Sequence, residues 1–458
     1  MKPDLKNQNT VVLGAGRSGR AAARLLLRAG ARVTLQDENN VDDLTELVRA
    51  GCAVQIAAEA NPAAAVDLVV ISPGIDPRKP WVRSYQDRGI PIWSELELAW
   101  RFCDWPVVAI TGTNGKTTTT ELVEAVFKAC GLKAVASGNI GMPLAETICS
   151  GGTLDVVALE VSSFQLEYCH TFAPRVAVHL NLTPDHMDRY DSMEEYAAAK
   201  NRIFMNQTPD DVAVVNARLD CPPLRARKVT FSAFESGADY TLSGTAIVNQ
   251  GQEVFDLGKS LLKGIHNAEN VMAVLAVADA WNLPLETVAS AICAYRPAPH
   301  RCEFVGTING VTWMNDSKAT NPDALAKALL SQPGKVLLIA GGKDKGFTFE
   351  ALRGIVGAKV RKVFLIGETA PQIARDWAGC ADIEHCGQLE RAVAAAAAEA
   401  TAGEVVLFSP ACSSFDQFKN YQDRGDQFKN LALRMGRVEA KQQQEPALGG
   451  IHQENKTT

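Results

Sequence analysis

The most informative segment of the chain is Val107-Val108-Ala109-Ile110-Thr111-Gly112-Thr113-Asn114-Gly115-Lys116-Thr117-Thr118. Its apolar beginning predicts a buried strand, and its glycine-rich turn leads into a helix. In that arrangement backbone N–H groups surround phosphate oxygens, and the helix N-terminus adds positive potential. We therefore expect Lys116 to contact the β- and γ-phosphates of a nucleotide and the Thr117 hydroxyl to bind Mg²⁺. Ile110 stands where the strict GxxxxGK[ST] pattern has its first glycine, so this is a shorter variant of the P-loop.

A second glycine-rich turn near the N-terminus reads Gly14-Ala15-Gly16-Arg17-Ser18-Gly19. It matches GxGxxG after an apolar strand, and Asp37 follows about 20 residues later, as in Rossmann-type dinucleotide sites. Taken alone, this pattern predicts an NAD-dependent dehydrogenase. Beside a P-loop it implies a second nucleotide-bearing ligand, with Arg17 and Ser18 on a diphosphate and Asp37 on a ribose or a base. The alternative interpretation is that the glycines only allow close packing of a helix on a strand.

Strands alternate with helices along the chain, a pattern that predicts parallel sheets and an α/β fold. The length of 458 residues suggests about three domains. The third of them has apolar strand patterns at residues 310–315, 335–340, 362–366 and 404–409. We predict a Rossmann-like N-terminal domain, a central P-loop domain, a Rossmann-like C-terminal domain and a disordered tail, over residues 1–95, 96–300, 301–437 and 438–458.

Composition and charge exclude several classes of protein. Apolar residues make up 47% of the chain and charged residues 21%, which is typical of a globular protein and excludes wholesale disorder. The formal net charge of −6 argues against binding of nucleic acid through a basic surface. No apolar stretch reaches the ~18 residues of a membrane-spanning helix, and the polar N-terminus lacks the apolar core of a signal peptide. The 11 cysteines form no CxxC pair, so we expect reduced thiols and a cytoplasmic protein.

Two further segments place polar side chains at the ends of apolar strands. Asp155-Val156-Val157-Ala158-Leu159-Glu160 ends in a carboxylate, and a strand-end carboxylate beside a P-loop is placed to bind Mg²⁺. The apolar segment over residues 175–180 leads into a loop that contains His186. Because a lone histidine is often structural, the sequence leaves open whether His186 binds a ligand.

Lys200 lies in a segment with helical periodicity. The pattern Ser192-Met193-Glu194-Glu195 predicts a capping box and the start of a helix. One apolar face of that helix then consists of Tyr196, Ala199, Lys200, Ile203 and Phe204. Burial lowers the pKa of a lysine, and a neutral amine can react with CO₂ to give a carbamate that binds metal. The alternative is a lysine whose ammonium reaches solvent or pairs with a buried acid.

Several separate motifs follow one another in order along the chain up to about residue 437. They are Thr111-Gly112-Thr113-Asn114-Gly115-Lys116-Thr117, Glu160-Val161-Ser162-Ser163-Phe164-Gln165-Leu166-Glu167, Asp185-His186-Met187-Asp188-Arg189-Tyr190, His266-Asn267-Ala268-Glu269-Asn270, Pro299-His300-Arg301-Cys302-Glu303, Asn315-Asp316-Ser317-Lys318-Ala319-Thr320-Asn321 and Ser409-Pro410-Ala411-Cys412-Ser413-Ser414-Phe415-Asp416-Gln417-Phe418. Together they resemble the Mur ligases, the ATP-dependent ligases that build the peptide stem of peptidoglycan. The resemblance looks strongest to the member that adds D-glutamate to UDP-N-acetylmuramoyl-L-alanine.

The resemblance implies how the nucleotides are bound. The N-terminal domain would hold the UDP of a sugar substrate instead of NAD, with help from the central domain, through Ser18, Asp37, Gly74, Asn139 and Gln165. ATP would lie on the P-loop residues Gly112, Thr113, Asn114, Gly115, Lys116, Thr117 and Thr118. Asn270 would lie near the adenine, and Arg301 and Asp316 near the ribose and phosphates.

The resemblance also implies metal and amino-acid sites. One Mg²⁺ would be held by Thr117 and Glu160, and a second by His186 and carbamylated Lys200, so that Lys116, Glu160, His186 and Lys200 are the candidate catalytic residues. D-Glutamate would be surrounded by Lys318, Thr320, Lys345, Ser414 and Tyr421. The family often has phenylalanine where Tyr421 aligns, and the turn Gly341-Gly342-Lys343-Asp344-Lys345 offers two lysines for one substrate carboxylate. The resemblance further implies a monomer whose partners are small molecules, without nucleic acid or membrane insertion.

Four alternatives remain open on the sequence. A folylpolyglutamate synthetase would leave the crevice at Gly14–Gly19 without a role. A sister Mur ligase would add another amino acid, although the Asp-Asn-Pro-Arg motif of the diamino-acid enzyme is not found in this chain. An NAD-dependent oxidoreductase would explain the first glycine-rich turn but leaves the P-loop and Glu160 without a role. A P-loop switch protein would hydrolyse nucleotide without any dependence on an amino acid.

Overall fold

The computed structural model describes residues 2–39, 43–56, 65–187, 189–262, 264–296, 299–332 and 334–442. The chain forms two compact units, Met1–Arg296 and Pro297–Thr458, and each is described by itself. Among the described residues, the first unit contains two sheets and the second contains one.

The first sheet is parallel throughout and has the strand order β3-β2-β1-β4-β5. Its elements are β1 (Asn9–Leu13), α1 (Arg17–Arg28), β2 (Arg32–Asp37), α2 (Thr45–Arg49), β3 (Ala53–Ile56), β4 (Leu68–Ile71), α3 (Pro80–Asp87) and β5 (Ile92–Ser94). The order reverses between β1 and β4, and ligands of open α/β sheets bind in the crevice at such a switch point. Gly19 lets α1 approach closely, because a Cβ there would overlap the Gly14 carbonyl.

The second sheet carries the P-loop and has the order β14-β13-β12-β11-β10-β9-β6-β8-β7. Its first elements are α4 (Glu95–Phe102), β6 (Val107–Thr111), α5 (Lys116–Ala129), β7 (Ala134–Gly138), α6 (Leu144–Ser150), β8 (Val156–Glu160), α7 (Ser163–Leu166), β9 (Val176–His179) and α8 (Met193–Asn201). They continue with β10 (Val212–Asn216), β11 (Arg227–Ser232), β12 (Tyr240–Ser243), β13 (Ala246–Asn249), β14 (Gln252–Asp256), α9 (Ile265–Ala280) and α10 (Leu285–Ala294). Since β6 lies between β8 and β9, the P-loop emerges between the carboxyl ends of those two strands.

Buried residues cover both faces of this second sheet. Every residue of β6 and β8 is buried, as expected for strands covered by helices on both sides. Helices α5 and α9 pack on each other and on one face through residues such as Val123, Val126 and Val271. The P-loop is therefore held on a rigid layer of apolar side chains.

The second unit is a mixed sheet with the order β15-β16-β20-β17-β18-β19, in which only the β15–β16 pairing is antiparallel. Its elements are β15 (Glu303–Ile308), β16 (Val311–Asn315), α11 (Pro322–Leu330), β17 (Val336–Gly341), α12 (Arg353–Lys359), β18 (Val360–Ile366), α13 (Ala370–Asp376), β19 (Asp382–Gly387), α14 (Leu389–Glu399), β20 (Val405–Phe408) and α15 (Tyr421–Gln442). The parallel neighbours β16, β20 and β17 end at one edge of the sheet.

Most structural predictions from the sequence are confirmed. The predicted strands of all three sheets are present, and all 11 cysteines are free. The predicted tail begins at residue 438, whereas α15 continues to Gln442; residues 443–458 lie outside the described residues. Over the part of the chain that the structure describes, every helix is too short or too polar to cross a bilayer.

Candidate active site

The P-loop has a backbone that only glycine tolerates well. Gly112 and Gly115 have φ angles of 151° and 86°, and a Cβ on Gly115 would overlap Oδ1 of Asn270. The Nζ of Lys116 donates hydrogen bonds to the carbonyls of Gly112 and Thr113, at 2.8 and 2.9 Å. The lysine therefore lies folded over the loop, and Asn270, predicted near adenine, lies against Gly115.

Asn181 holds the P-loop in place and was not predicted from the sequence. Its Oδ1 accepts the backbone N–H of Asn114 at 2.9 Å, and its Nδ2 donates to the carbonyl of the same residue at 2.9 Å. Its own carbonyl accepts the N–H of Thr113 at 3.0 Å. Asn181 lies two residues after the end of β9, so its position just beyond a strand end was the signal that could have identified it.

Glu160 lies at the carboxyl end of β8 and is 2% exposed. Its Oε1 accepts a hydrogen bond from Nδ2 of Asn139 at 2.8 Å. Its Oε2 is buried without a hydrogen-bond partner among the described residues. A buried carboxylate oxygen left unpaired is costly, and a cation beside it would satisfy it. Together with the buried Thr117 on α5, this donor set fits a divalent cation.

Lys200 is buried at the end of α8, as the helical periodicity predicted, and is 1% exposed. Its Nζ donates to the carbonyl of Gly112 at 2.9 Å and lies 4.5 Å from the centre of the Tyr196 ring. Burial, reinforced by the charge of Lys116, holds the pKa of Lys200 well below its ordinary value. The amine at this position is therefore prone to be neutral.

Only half of the predicted capping box forms at the start of α8. The Ser192 hydroxyl accepts the N–H of Glu195, as expected. The Glu195 carboxylate instead accepts the backbone N–H of Asp191 at 3.0 Å. The helix still begins where the sequence predicted.

His186 lies in the loop after β9 with a left-handed backbone, φ 59°. Its Nε2 is 3.7 Å from Oδ2 of Asp185, and its ring centre is 4.7 Å from that of Phe164. The ring is 38% exposed. Within the described residues, no three His, Cys, Asp or Glu side chains gather as a metal site. Each predicted magnesium site has one ligand of these residue types, Glu160 in the first and His186 in the second. The other predicted ligands are Thr117 and Lys200.

The crevice of the first sheet is built on Asp37 and Ser72. The Asp37 carboxylate accepts the backbone N–H of Ala15 at 2.6 Å and that of Asn39 at 2.9 Å. The Ser72 hydroxyl donates to the carbonyl of Gly14 at 3.1 Å. Asp37, predicted to bind a ribose or a base, thus shapes the glycine-rich turn in this structure.

The remaining residues predicted to bind UDP have different exposures. Ser18 is half-buried at the start of α1, and Gly74 is exposed. Gln165 is buried, and its Oε1 accepts the N–H and the hydroxyl of Ser162, which caps α7. Arg17, in the same turn as Ser18, donates to the carbonyl of Gly141.

In the second unit Asp316 follows β16 and is buried. It accepts the hydroxyl of Ser409 at 2.8 Å and the N–H of Cys302 at 3.1 Å. Burial raises the pKa of Asp316 to about 6, against the lowering effect of the Ser409 hydrogen bond and of Arg301. Arg301 stands between two left-handed residues, His300 and Cys302, with φ angles of 68° and 41°.

Lys318 and Tyr421, predicted to contact D-glutamate, lie together. The Nζ of Lys318 is 3.3 Å from the Tyr421 hydroxyl, to which it donates, and 4.9 Å from the ring centre. Thr320 is half-buried and Ser414 is 2% exposed. Of the two lysines after β17, Lys343 forms an ion pair with Glu368 at 2.9 Å, whereas Lys345 is exposed.

Arg424 on α15 orders these loops and was not predicted from the sequence. It is fully buried and donates to the hydroxyl and carbonyl of Ser317, at 3.0 and 2.7 Å. It also donates to the carbonyls of Ser413 and Cys412, each at 3.0 Å. One guanidinium thereby joins the loop that carries Lys318 to the loop that carries Ser414.

The sequence of this chain matches family profiles and known proteins along nearly its whole length. Residues 8–94 match the profile of the Mur ligase MurD-like N-terminal domain, residues 110–278 that of the Mur ligase middle domain and residues 300–412 that of the Mur ligase glutamate ligase domain. UDP-N-acetylmuramoylalanine–D-glutamate ligase of Pelotomaculum thermopropionicum is 41% identical over 454 residues, covering 94% of this chain and 99% of the relative. The protein of the same name from Geotalea uraniireducens is 43% identical over 445 residues, covering 93% and 98%.

The three matched domains, the central one with a P-loop, are those of an ATP-dependent ligase. The chain belongs to the Mur ligase family. Solved structures share the fold: MurF ligase of Thermotoga maritima has a TM-score of 0.58 at 17% identity, covering 96% of each chain. UDP-N-acetylmuramate-alanine ligase MurC of Thermotoga maritima has a TM-score of 0.56 at 18% identity, covering 96% of this chain and 100% of the other.

Proposed function

We propose that the protein is the ATP-dependent ligase that joins D-glutamate to UDP-N-acetylmuramoyl-L-alanine, a cytoplasmic step of peptidoglycan precursor synthesis. The proposal rests on one observation: the residues of the candidate site suit the activity that the relatives bear in their names. The P-loop, the unpaired Glu160 oxygen and the buried Lys200 lie in the family's middle domain, and relatives that match almost end to end bear this activity in their names. The domain limits at residues 95, 300 and 437 and a monomeric state belong to the same proposal.

An amide does not form from a carboxylate and an amine in water without activation. In the proposed reaction the L-alanine carboxylate attacks the γ-phosphate of ATP, which forms an acyl phosphate and releases ADP. The amine of D-glutamate then attacks the acyl carbon, the C–N bond forms, and phosphate leaves. Carboxylate and triphosphate repel each other, so the site needs cations that neutralise the developing charge, and Lys116 and Arg301 have this role.

Two bound magnesium ions belong to the same proposal. Thr117 and Glu160 would hold the first, and His186 and carbamylated Lys200 the second. Bound Mg²⁺ supplies charge neutralisation for the transferring phosphoryl group. Formation of the carbamate joins the neutral Lys200 amine to CO₂ and releases one proton to water. The burial of Lys200 and its lowered pKa support this step, because only the neutral amine reacts.

The other contacts are proposed as follows. UDP would lie on Ser18, Asp37, Gly74, Asn139 and Gln165; ATP would lie on Gly112–Thr118 with Asn270, Arg301 and Asp316; D-glutamate would meet Lys318, Thr320, Lys345, Ser414 and Tyr421. The engagement of Lys343 with Glu368 supports Lys345 as the lysine that binds the substrate carboxylate.

Phosphate release measured with pairs of acceptors and amino acids tests this function. We expect release only when ATP, UDP-N-acetylmuramoyl-L-alanine and D-glutamate are all present, and none with L-glutamate, L-alanine or a diamino acid. If another amino acid stimulates release while D-glutamate does not, the protein is a different ligase. Binding of NADH in preference to UDP would favour the oxidoreductase instead.

A further inference from the structure

Arg189 joins three segments of the first unit that are distant in sequence. Its Nη2 donates to Oε2 of Glu167 at 2.6 Å, and its Nη1 donates to the carbonyls of Pro73 and Ile75, at 3.0 and 3.2 Å. The Arg189 side chain is 11% exposed and that of Glu167 16%, so little solvent screens the ion pair. Partly buried arginine contacts of this kind are stronger and more directional than surface ion pairs.

The carbonyls that accept from Arg189 belong to the turn after β4, at the switch point of the first sheet. Ser72 ties the start of this turn to Gly14, and the N–H of Ile75 bonds back to the Ser72 carbonyl at 3.0 Å. The Ile75 side chain also packs against Gly14. The exposed Gly74 stands between the two carbonyls that Arg189 holds. The guanidinium therefore fixes the tip of a turn on which the UDP-bearing substrate is proposed to lie.

The same guanidinium contacts the aromatic cluster beside His186. Its carbon lies 4.0 Å from the ring centre of Phe164, whose ring also contacts that of His186. The Tyr190 hydroxyl donates to Oε1 of Glu167 at 2.6 Å, and its ring stacks on Phe164 at 5.8 Å. Glu167, Phe164 and Tyr190 thus hold Arg189 on the central-domain side while its other end holds the 73–75 turn.

We infer that Arg189 is a positioning residue that fixes the 73–75 turn in the geometry that binds the UDP moiety. Arg189 acts through the backbone of that turn. The inference rests on the proposed function only for the identity of the ligand. The planar fork of arginine can satisfy a carboxylate and two carbonyls at once, whereas the compact ammonium of lysine cannot reach all three. Arg189→Lys therefore keeps the charge and removes the tether.

Arg202 offers a matched control. Like Arg189 it donates to two backbone carbonyls, but these lie in the central domain: Nε donates to Leu166 at 2.8 Å and Nη2 to Cys169. These acceptors belong to the segment that contains Glu167, yet none of them lies in the 73–75 turn. Arg202→Lys therefore reports the general cost of replacing a partly buried arginine.

Calorimetric titration with UDP in the presence of Mg²⁺ tests the inference. We expect Arg189→Lys to weaken UDP binding by about tenfold, the loss that one charge-assisted contact represents. The KM for the UDP-sugar should rise in parallel while the KM for ATP stays within about twofold of wild type. Arg202→Lys should leave the UDP affinity unchanged. The inference is overturned if Arg189→Lys binds UDP as wild type does, or if it weakens ATP and UDP alike.

Hydrogen exchange on the ligand-free protein separates this inference from the proposed function. Amides of residues 74–76 should exchange faster in Arg189→Lys than in wild type or Arg202→Lys. Unchanged exchange would also overturn the inference, whatever the substrate is. Failure of D-glutamate to stimulate phosphate release in the wild-type protein would instead refute the proposed function and leave the exchange result to decide the role of Arg189.

Discussion

Lys200 in the first unit and Arg424 in the second are both buried cations, but burial affects their charge differently. The ammonium of Lys200 has a carbonyl hydrogen bond to Gly112, and burial holds its pKa well below the ordinary value. The guanidinium of Arg424 donates to three carbonyls and a hydroxyl, and burial lowers its pKa only to about 10. Lysine can give up its proton in such a place, whereas arginine keeps its charge at neutral pH. A buried lysine is thus suited to chemistry and a buried arginine to holding loops together.

The largest expected effect is on Lys200. Lys200→Ala should reduce the rate of D-glutamate-dependent phosphate release by more than about a hundredfold, because the proposed metal-binding carbamate cannot form. Bicarbonate cannot modify alanine, but short-chain carboxylates added at high concentration should partly restore the rate by taking the place of the carbamate. Undiminished activity of Lys200→Ala would end the carbamate hypothesis.

Replacing Arg424 should lower the stability of the fold and weaken the use of D-glutamate. Arg424→Met leaves buried carbonyls without their donor and should lower the free energy of unfolding by about 2–4 kcal/mol. The KM for D-glutamate should rise, while the KM for ATP changes little, because the loops that carry Lys318 and Ser414 lose their link. Urea denaturation and steady-state kinetics measure both effects.

Arg361 is the control for Arg424 in the same unit. It pairs with Glu399 and Glu404 at the surface, and its side chain is 40% exposed. Arg361→Met should cost less than about 1 kcal/mol. If Arg424→Met and Arg361→Met lower the free energy of unfolding equally, the buried hydrogen bonds of Arg424 stabilise the fold no more than a surface ion pair does.

A buried carboxyl group gives a pH-dependent effect of intermediate size. Glu95 on α4 is 1% exposed, with Oε1 accepting the N–H of Ala145 at 2.8 Å. Burial raises its pKa from 4.5 to about 7, so the fold favours the protonated acid. The stability from this group is complete below pH 4.5 and is lost as the pH rises through about 7.

Glu95→Gln removes the ionisable carboxyl group and with it this loss of stability at higher pH. Its stability relative to wild type should therefore increase by up to about 3 kcal/mol between about pH 5 and pH 8. Urea denaturation at the two pH values measures the difference. A constant difference across this range would show that Glu95 ionises in the folded protein as it does in the unfolded chain.

The smallest effect is expected at Lys343. Its ammonium is exposed and pairs with Glu368, so Lys343→Ala should leave the KM for D-glutamate nearly unchanged. Lys345→Ala should raise that KM by about tenfold, because the proposed charged hydrogen bond to the substrate carboxylate is lost. The reverse result would assign the substrate contact to Lys343.

Local patterns carried much of the fold and part of the site. The strand and turn around Gly112–Lys116 and the helix that buries Lys200 follow from periodicity within a few residues. Asn181, Arg189 and Arg424 were not predicted because their hydrogen-bond partners are mostly backbone groups of segments far away along the chain; Arg424 and Ser317 are 107 residues apart. A backbone group has the same chemistry at nearly every residue, so no sequence pattern marks the group itself as a partner.

The Gly112 carbonyl would also set the direction of the proposed carbamate. It accepts from Lys116 and from Lys200, so a single backbone oxygen lies between the two amines. A carbamylated nitrogen keeps one N–H, which can remain bonded to this oxygen while the new carboxylate extends away from it. The P-loop backbone would then act as a template that orients the modified side chain before any substrate binds.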